Sequence, residues 1–229
     1  MGITRSVKPD MMSLMRLFAI LLSAAAMLSA QNSTVPIDND RVRVTAIKQD
    51  PHINIPLHDH KLNRVMIYLD PGKQDLDYQG KKVHLVWKAG ETKWSQASGM
   101  HTGEIVSDNP VRVVEVELKK PGTSAKSTPV ALDPLKILPK YYKLEYENDQ
   151  VRVFRVKVGP HQALPLHEHA RNRVTVFLTD HNFRVTPENG KVETQTHKVG
   201  DVTWGEPAKH KEENLSDKPF EVLVVELKS

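Results

Sequence analysis

The sequence predicts an all-β protein made of two tandem jelly-roll β-barrels, and three observations predict it. Apolar residues alternate with polar ones in short valine-rich runs, "RVMIYLD", "KVHLVW", "RVVEVEL" and "VRVFRVKV", rather than recurring at helical spacing. Turn signals such as "DPG", "QGK" and "ENGK" separate the runs. The whole pattern is also written twice. "NDRVRV" at 39–44 returns as "NDQVRV" at 148–153, and "SDNPVRVVEVELK" at 107–119 returns as "SDKPFEVLVVELK" at 216–228. Both pairs are shifted by 109 residues, as a duplicated domain requires. Short strands without an amphipathic helix, in units of about 85 residues, suit a compact jelly-roll barrel.

Residues 1–30 read as a secretory signal. Arg5, Lys8 and Arg16 precede the apolar run "LFAILLSAAAML", and small residues follow it. The apolar core from Leu17 to Leu28 is shorter than the ~20 residues of a membrane-spanning helix, so no stable membrane anchor is expected. The expected location is periplasmic or extracellular, with a mature chain beginning near Gln31. The first domain is read over 36–120 and the second over 142–229. Between them, 121–141 reads as a linker, because Pro121, Pro129, Pro134 and Pro139 disfavour helix interiors and central strands.

Removing residues 1–30 lowers the formal charge from +4 to +2. Acidic and basic residues intermingle without a basic stripe, which argues against a nucleic-acid partner. With no cysteine, neither a disulfide framework nor a lipid-attachment site is available. The chain is open to forming a homodimer.

The strings "IPLHDHKLNRV" (55–65) and "LPLHEHARNRV" (164–174) obey the same shift. Residues two apart on a strand point to one face, so His58 and His60, and His167 and His169, each present two imidazoles to one side. His101 and His210, again 109 apart, supply a third to each set. Three imidazoles are a chemically sufficient core for a first-row divalent metal. The other histidines lack this regularity.

These motifs resemble the cupin superfamily. Its first motif carries glycine, His-x-His, a glutamate and a further glycine; its second carries glycine, a Pro-x-Gly-like turn, histidine and asparagine. Gly200, Pro207, His210 and Asn214 match the second motif in the second unit, with Ala208-Lys209 where a glycine is usual. Gly90, Gly99 and His101 match it in the first, with Ile105 in place of asparagine. The resemblance implies a bicupin, its histidine triplets converging inside the barrels on a divalent ion: iron, manganese, zinc or nickel. The reactions it implies are those of dioxygenases, decarboxylases and isomerases, and the alternative is a metal-free protein binding an anion or acidic sugar.

Arg64 and Arg173 stand where the family's glutamate would be, with the parity that points inward. A divalent ion facing a guanidinium ~5 Å away is opposed by roughly 7 kcal/mol at an effective dielectric of 20. A small anionic ligand is therefore expected to complete each site, received by Arg64 or Arg173, with Tyr68 and Phe177 lining the pockets. Glu104 and Glu213, three residues beyond the third histidines, are candidate counter-charges only if a turn follows each histidine. Glu117 and Glu226 in the last strands are candidate ion-pair partners for the arginines. Trp94 and Trp204 read as core packing.

Overall fold

Alternating valines give strands with two apolar-capable faces, and both are used. The computed structural model describes residues 32–123 and 130–228, so the signal reading of residues 1–30 lies outside the described residues. The first half contains β1 (Asn32–Asp38), β2 (Val42–Gln49), β3 (Asn54–His60), β4 (Arg64–Tyr68), β5 (Gly72–Tyr78), β6 (Lys81–Trp87), β7 (Thr92–Ser95), β8 (Ser98–Ile105) and β9 (Val111–Leu118). They form two antiparallel sheets, ordered β1-β2-β9-β4-β7 and β3-β8-β5-β6. After the one-turn helix α1 (Pro134–Ile137) come β10 (Tyr142–Glu147), β11 (Val151–Val158), β12 (Ala163–His169), β13 (Arg173–Phe177), β14 (His181–Pro187), β15 (Glu193–His197), β16 (Val202–Gly205), β17 (Ala208–Asn214) and β18 (Phe220–Leu227). Their sheets, β10-β11-β18-β13-β16 and β12-β17-β14-β15, repeat the topology strand for strand. The molecule is all-β, with two jelly-roll barrels in tandem.

The inward faces of each sheet pair make one core per barrel. Ile55, Tyr68, Trp87, Ile105, Val111 and Val113 fill the first; Tyr142, Phe154, Leu164, Phe177, Phe183 and Phe220 are prominent in the second. The opposite faces of the five-stranded sheets pack together. Val42, Val44, Val65, Ile67, Val114 and Val116 from one meet Val151, Val153, Val174, Val176, Leu223 and Val225 from the other, all essentially inaccessible to solvent. The last strands, VRVVEVEL and FEVLVVEL, therefore carry apolar residues on both faces. Trp94 and Trp204 pack against this shared layer. Leu178 lies against Gly90 and Leu69 against Gly200, a reciprocal contact of the kind a twofold relation produces. Both glycines hold positive φ, 75° and 95°, in the turn before the strand that carries the tryptophan.

The stretch read as a linker is partly built into the second barrel. Asp133 caps α1 through the backbone N–H of Leu135 and pairs with Arg152 at 2.6 Å, and Leu138 enters the second barrel's core.

A bulge interrupts the β3–β8 ladder between Ile55 and His58, and its counterpart interrupts β12–β17 between Leu164 and His167. Each contains a proline, Pro56 or Pro165, which has no N–H to give a ladder. Beyond the bulge the first histidine stands opposite the third, His58 against His101 and His167 against His210. The bulge thus sets the aim of the histidine pair.

Candidate metal centres

Each histidine triplet converges inside its barrel. His58, His60 and His101 form one group and His167, His169 and His210 the other, with ligand-capable atoms within 4.8 Å of one another. Two ligands with ~2.1 Å bonds to one ion are at most ~4.2 Å apart, so little movement would close either group around a metal. Ring centroids are 4.8, 4.4 and 5.4 Å apart in the first barrel and 5.3, 4.5 and 5.4 Å in the second. Two sides of the triangles agree closely and the His-x-His side differs, 4.8 against 5.3 Å.

Most of these rings have one nitrogen committed and the other turned to the cavity. His58 Nδ1 donates to Pro56 O at 2.8 Å and His167 Nδ1 to Pro165 O at 2.9 Å, both carbonyls left free by the bulges. His101 Nδ1 donates to Gly99 O at 2.9 Å, and His169 Nδ1 to Glu226 Oε1 at 2.9 Å. Such bonds fix the tautomer and leave Nε2 with its lone pair free, the arrangement metal-binding imidazoles share. His58 Nε2 and His60 Nε2 approach to 3.1 Å, and His210 Nε2 is buried with no hydrogen bond. Burial favours the neutral form of four rings: it pushes His60 down to about 3, helped by Arg64, His58 and His101. It also lowers His101 and His167, and takes His169 well below the ordinary histidine range. Oriented imidazoles of this kind, one of them with an orphaned nitrogen, fit a divalent cation.

The other predicted residues line the same cavities. Arg64 and Tyr68 face a cavity of about 550 Å³ with the first triplet, and Arg173 and Phe177 one of about 320 Å³ with His169 and His210. Tyr68 stacks on Trp87 at 4.4 Å, whereas Phe177 stacks on His197 at 4.0 Å. Trp94 and Trp204 also reach the cavity walls.

The carboxylates are placed differently from expectation. No turn follows the third histidine, because β8 and β17 continue; Glu104 and Glu213 therefore face outward, Glu213 pairing with Arg184 at 2.7 Å. Neither arginine ion-pairs with the last strand, although Arg64 stands opposite Glu117 and Arg173 opposite Glu226 in register. Glu226 is fully buried and is taken by His169, Arg152 (2.8 Å) and Arg171 (3.6 Å). Arg173 Nη1 donates to Glu206 O at 2.6 Å. Arg64 is 6 % exposed, its Nε donates to Met66 Sδ at 3.2 Å, and its Nη1 is buried without a partner.

Comparison with solved structures is informative about the fold alone. AerE from Microcystis aeruginosa superposes with a TM-score of 0.64 at 12 % identity, covering 88 % of this chain and 94 % of that one. A structure concerned with the Mn(II) centres of Bacillus subtilis oxalate decarboxylase gives 0.55 at 14 % identity, over 85 % and 71 %. A cupin 2 conserved barrel domain protein from Leptotrichia buccalis gives 0.51 at 10 %, over 86 % and 88 %. The chain has a cupin-type fold of two jelly-roll barrels. No family model and no curated protein sequence matches it.

Three further residues belong to these sites without a sequence motif that marks them. Glu212, two residues after His210, shares its strand face, lines the second cavity and brings Oε1 to 3.2 Å from His210 Nε2. Burial works to raise this carboxyl, but contact with His210 and the nearby His167 and His169 hold it low, at about 2. Tyr142, at the start of the second unit, brings its hydroxyl to 3.0 Å from His167 Nε2, and burial pushes its phenol well up. Glu115 faces the first cavity from β9; burial raises its carboxyl, while Arg64 and His58 oppose the rise. Strand parity from His210 could have found Glu212. Nothing local marks Tyr142, which reaches the site by folding from 25 residues away.

Proposed function

We propose that this bicupin binds a divalent metal ion through His58, His60 and His101 and another through His167, His169 and His210, with a small anion completing the coordination. The observation that carries the reading is the commitment of Nδ1 in four of the six rings, which leaves Nε2 for the cavity. The metal would supply a Lewis acid inside a partly apolar pocket. The arginines would receive the anion, Arg64 most directly because its Nη1 has no other partner. Tyr68, Met66, Tyr78 and Leu85 surround that guanidinium's cavity, so a carboxylic acid with an apolar or aromatic body suits it best. The solved oxalate decarboxylase with Mn(II) centres makes manganese and carboxylate chemistry the first pair to try. Fold likeness at this identity does not choose a reaction.

A metal-free reading keeps one specific observation on its side. The Tyr142 hydroxyl already occupies His167 Nε2 in the second barrel. Metal analysis of untagged protein, purified without chelator, separates the two: about two equivalents of a divalent metal are expected, and none would leave an anion-binding protein as the better account. Export belongs to the same proposal, and intact-mass measurement of the protein from the periplasm or medium should give a chain starting near Gln31.

A further inference from the structure

In each barrel one carboxylate lines the cavity of the histidine triplet, but from different walls. In the second it is Glu212, on β17; the 109-residue shift places Gly103 at that position in the first. In the first it is Glu115, on β9, and the shift places Val224 at that position in the second. Glu115 stands opposite Met66 in register, one step along the sheet from Arg64. Glu212 stands opposite Leu164 and Val185, one step along from His210, and so belongs to the histidine wall.

Its contact with His210 is unusual as it stands. Oε1 is 3.2 Å from Nε2, yet no hydrogen bond joins them, and that nitrogen is left buried and unsatisfied. The cost of such an orphan is ordinarily avoided. Neighbouring ligands of one ion with ~2.1 Å bonds lie ~3.0–3.4 Å apart, so a shared cation satisfies both atoms at this spacing. The Glu212 side chain is 19 % exposed, and it lines the cavity that Arg173 and Tyr142 share. A carboxylate there also offsets the guanidinium that otherwise opposes a dication.

Building on the metal-binding reading above, we propose that Glu212 is the fourth protein ligand of the second barrel, which makes the two centres unequal. The second is a tight His₃Glu site in the smaller cavity, with the Tyr142 hydroxyl beside His167. The first is a His₃ site whose carboxylate, Glu115, sits on the arginine's side of the cavity. The first centre therefore keeps more open positions for the anion than the second, whose metal is already held by four protein ligands.

The test uses the mature chain, stripped with chelator and titrated with Mn²⁺ by calorimetry and with Co²⁺ by visible absorption. Wild type should show two affinities, and His60→Ala should remove the weaker one only. Glu212→Gln should weaken the tighter site at least tenfold and shift its Co²⁺ bands, with the weaker site unmoved. Gln keeps a neutral acceptor beside His210, so a merely positioning role predicts unchanged affinity and spectrum; that outcome overturns the assignment and leaves metal binding intact. If Glu212→Gln fails to fold, judged by circular dichroism, Glu212→Asp is read by the same criteria. Absence of binding by wild type would sink this inference together with the reading it rests on.

Discussion

Glu226 accepts the Nδ1–H of His169 across 2.9 Å in the interior of the second barrel, and the same carboxylate holds Arg152 at 2.8 Å. One buried acid therefore orients an imidazole and neutralises a guanidinium that also pairs with Asp133, the cap of α1. The position of the helix and the tautomer of His169 are set by one group.

Two substitutions separate those tasks. Glu226→Ala leaves Arg152 with Asp133 alone and should cost about 3–5 kcal/mol, as loss of one partner of a buried pair does. A fall in the urea midpoint, with an unchanged slope, checks it. Glu226→Gln keeps the volume and an acceptor; it should cost less stability but still weaken metal binding at the second triplet by about 10–100-fold, the usual effect of altering a carboxylate behind a ligating histidine.

Tyr142→Phe addresses the competing hydrogen bond. The phenol hydroxyl sits 3.0 Å from His167 Nε2, the nitrogen a metal would need. Removing a neutral hydrogen bond of about 1 kcal/mol should tighten the second site roughly fivefold. Unchanged affinity would mean that the hydroxyl turns aside at no cost. Ser33 stands at the shifted position in the first barrel, so the weaker site should not respond.

Much of this was legible in the sequence. The duplication, the all-β class and the His-x-His faces followed from an offset and a period of two, because strand parity fixes direction without reference to tertiary contacts. The same rule gives Arg64 and Tyr68 the inward parity, and both line the first cavity. Carried two residues past His210, the same rule reaches Glu212, whereas Glu213, one residue on, faces out. The partners expected for the arginines failed for another reason. Register does put Glu226 opposite Arg173, but Arg152, Arg171 and His169 compete for that carboxylate, and this competition is written only in three dimensions.

Acid sensitivity should have a source far from either triplet. Asp70 accepts from Arg112 Nε and Nη2 at 2.8 Å each and from its backbone N–H at 3.0 Å. Hydrogen bonds from the guanidinium, opposed by partial burial, lower the aspartate below its ordinary value. The folded pKa lies below the unfolded value of about 3.9, so the stabilisation is complete above that value and is lost as the pH falls through the folded one. Asp70→Asn should lower stability at pH 7 and flatten its decline between about pH 4 and 2. Urea midpoints of both proteins across that range check the sign.

Arg64 gives the most direct reading of what the first cavity is for. Its guanidinium is nearly sealed from solvent, shares the cavity with His58, His60 and His101, and leaves Nη1 unbonded. A fixed cation beside a metal site weakens the metal and strengthens an anion, so one substitution should move the two affinities in opposite directions. Arg64→Gln removes the charge and should tighten Mn²⁺ at the first site by about tenfold, or ~1.4 kcal/mol, while abolishing measurable binding of a small carboxylate to the loaded protein. Arg64→Lys keeps the charge but loses the planar fork; metal affinity should stay near wild type and carboxylate affinity should still fall, because two-pronged recognition needs the guanidinium. Calorimetry with Mn²⁺ and then with benzoate or oxalate measures both. If Arg64→Gln leaves both affinities unchanged, the guanidinium faces neither ligand, and its burial beside Met66 is a packing feature of β4.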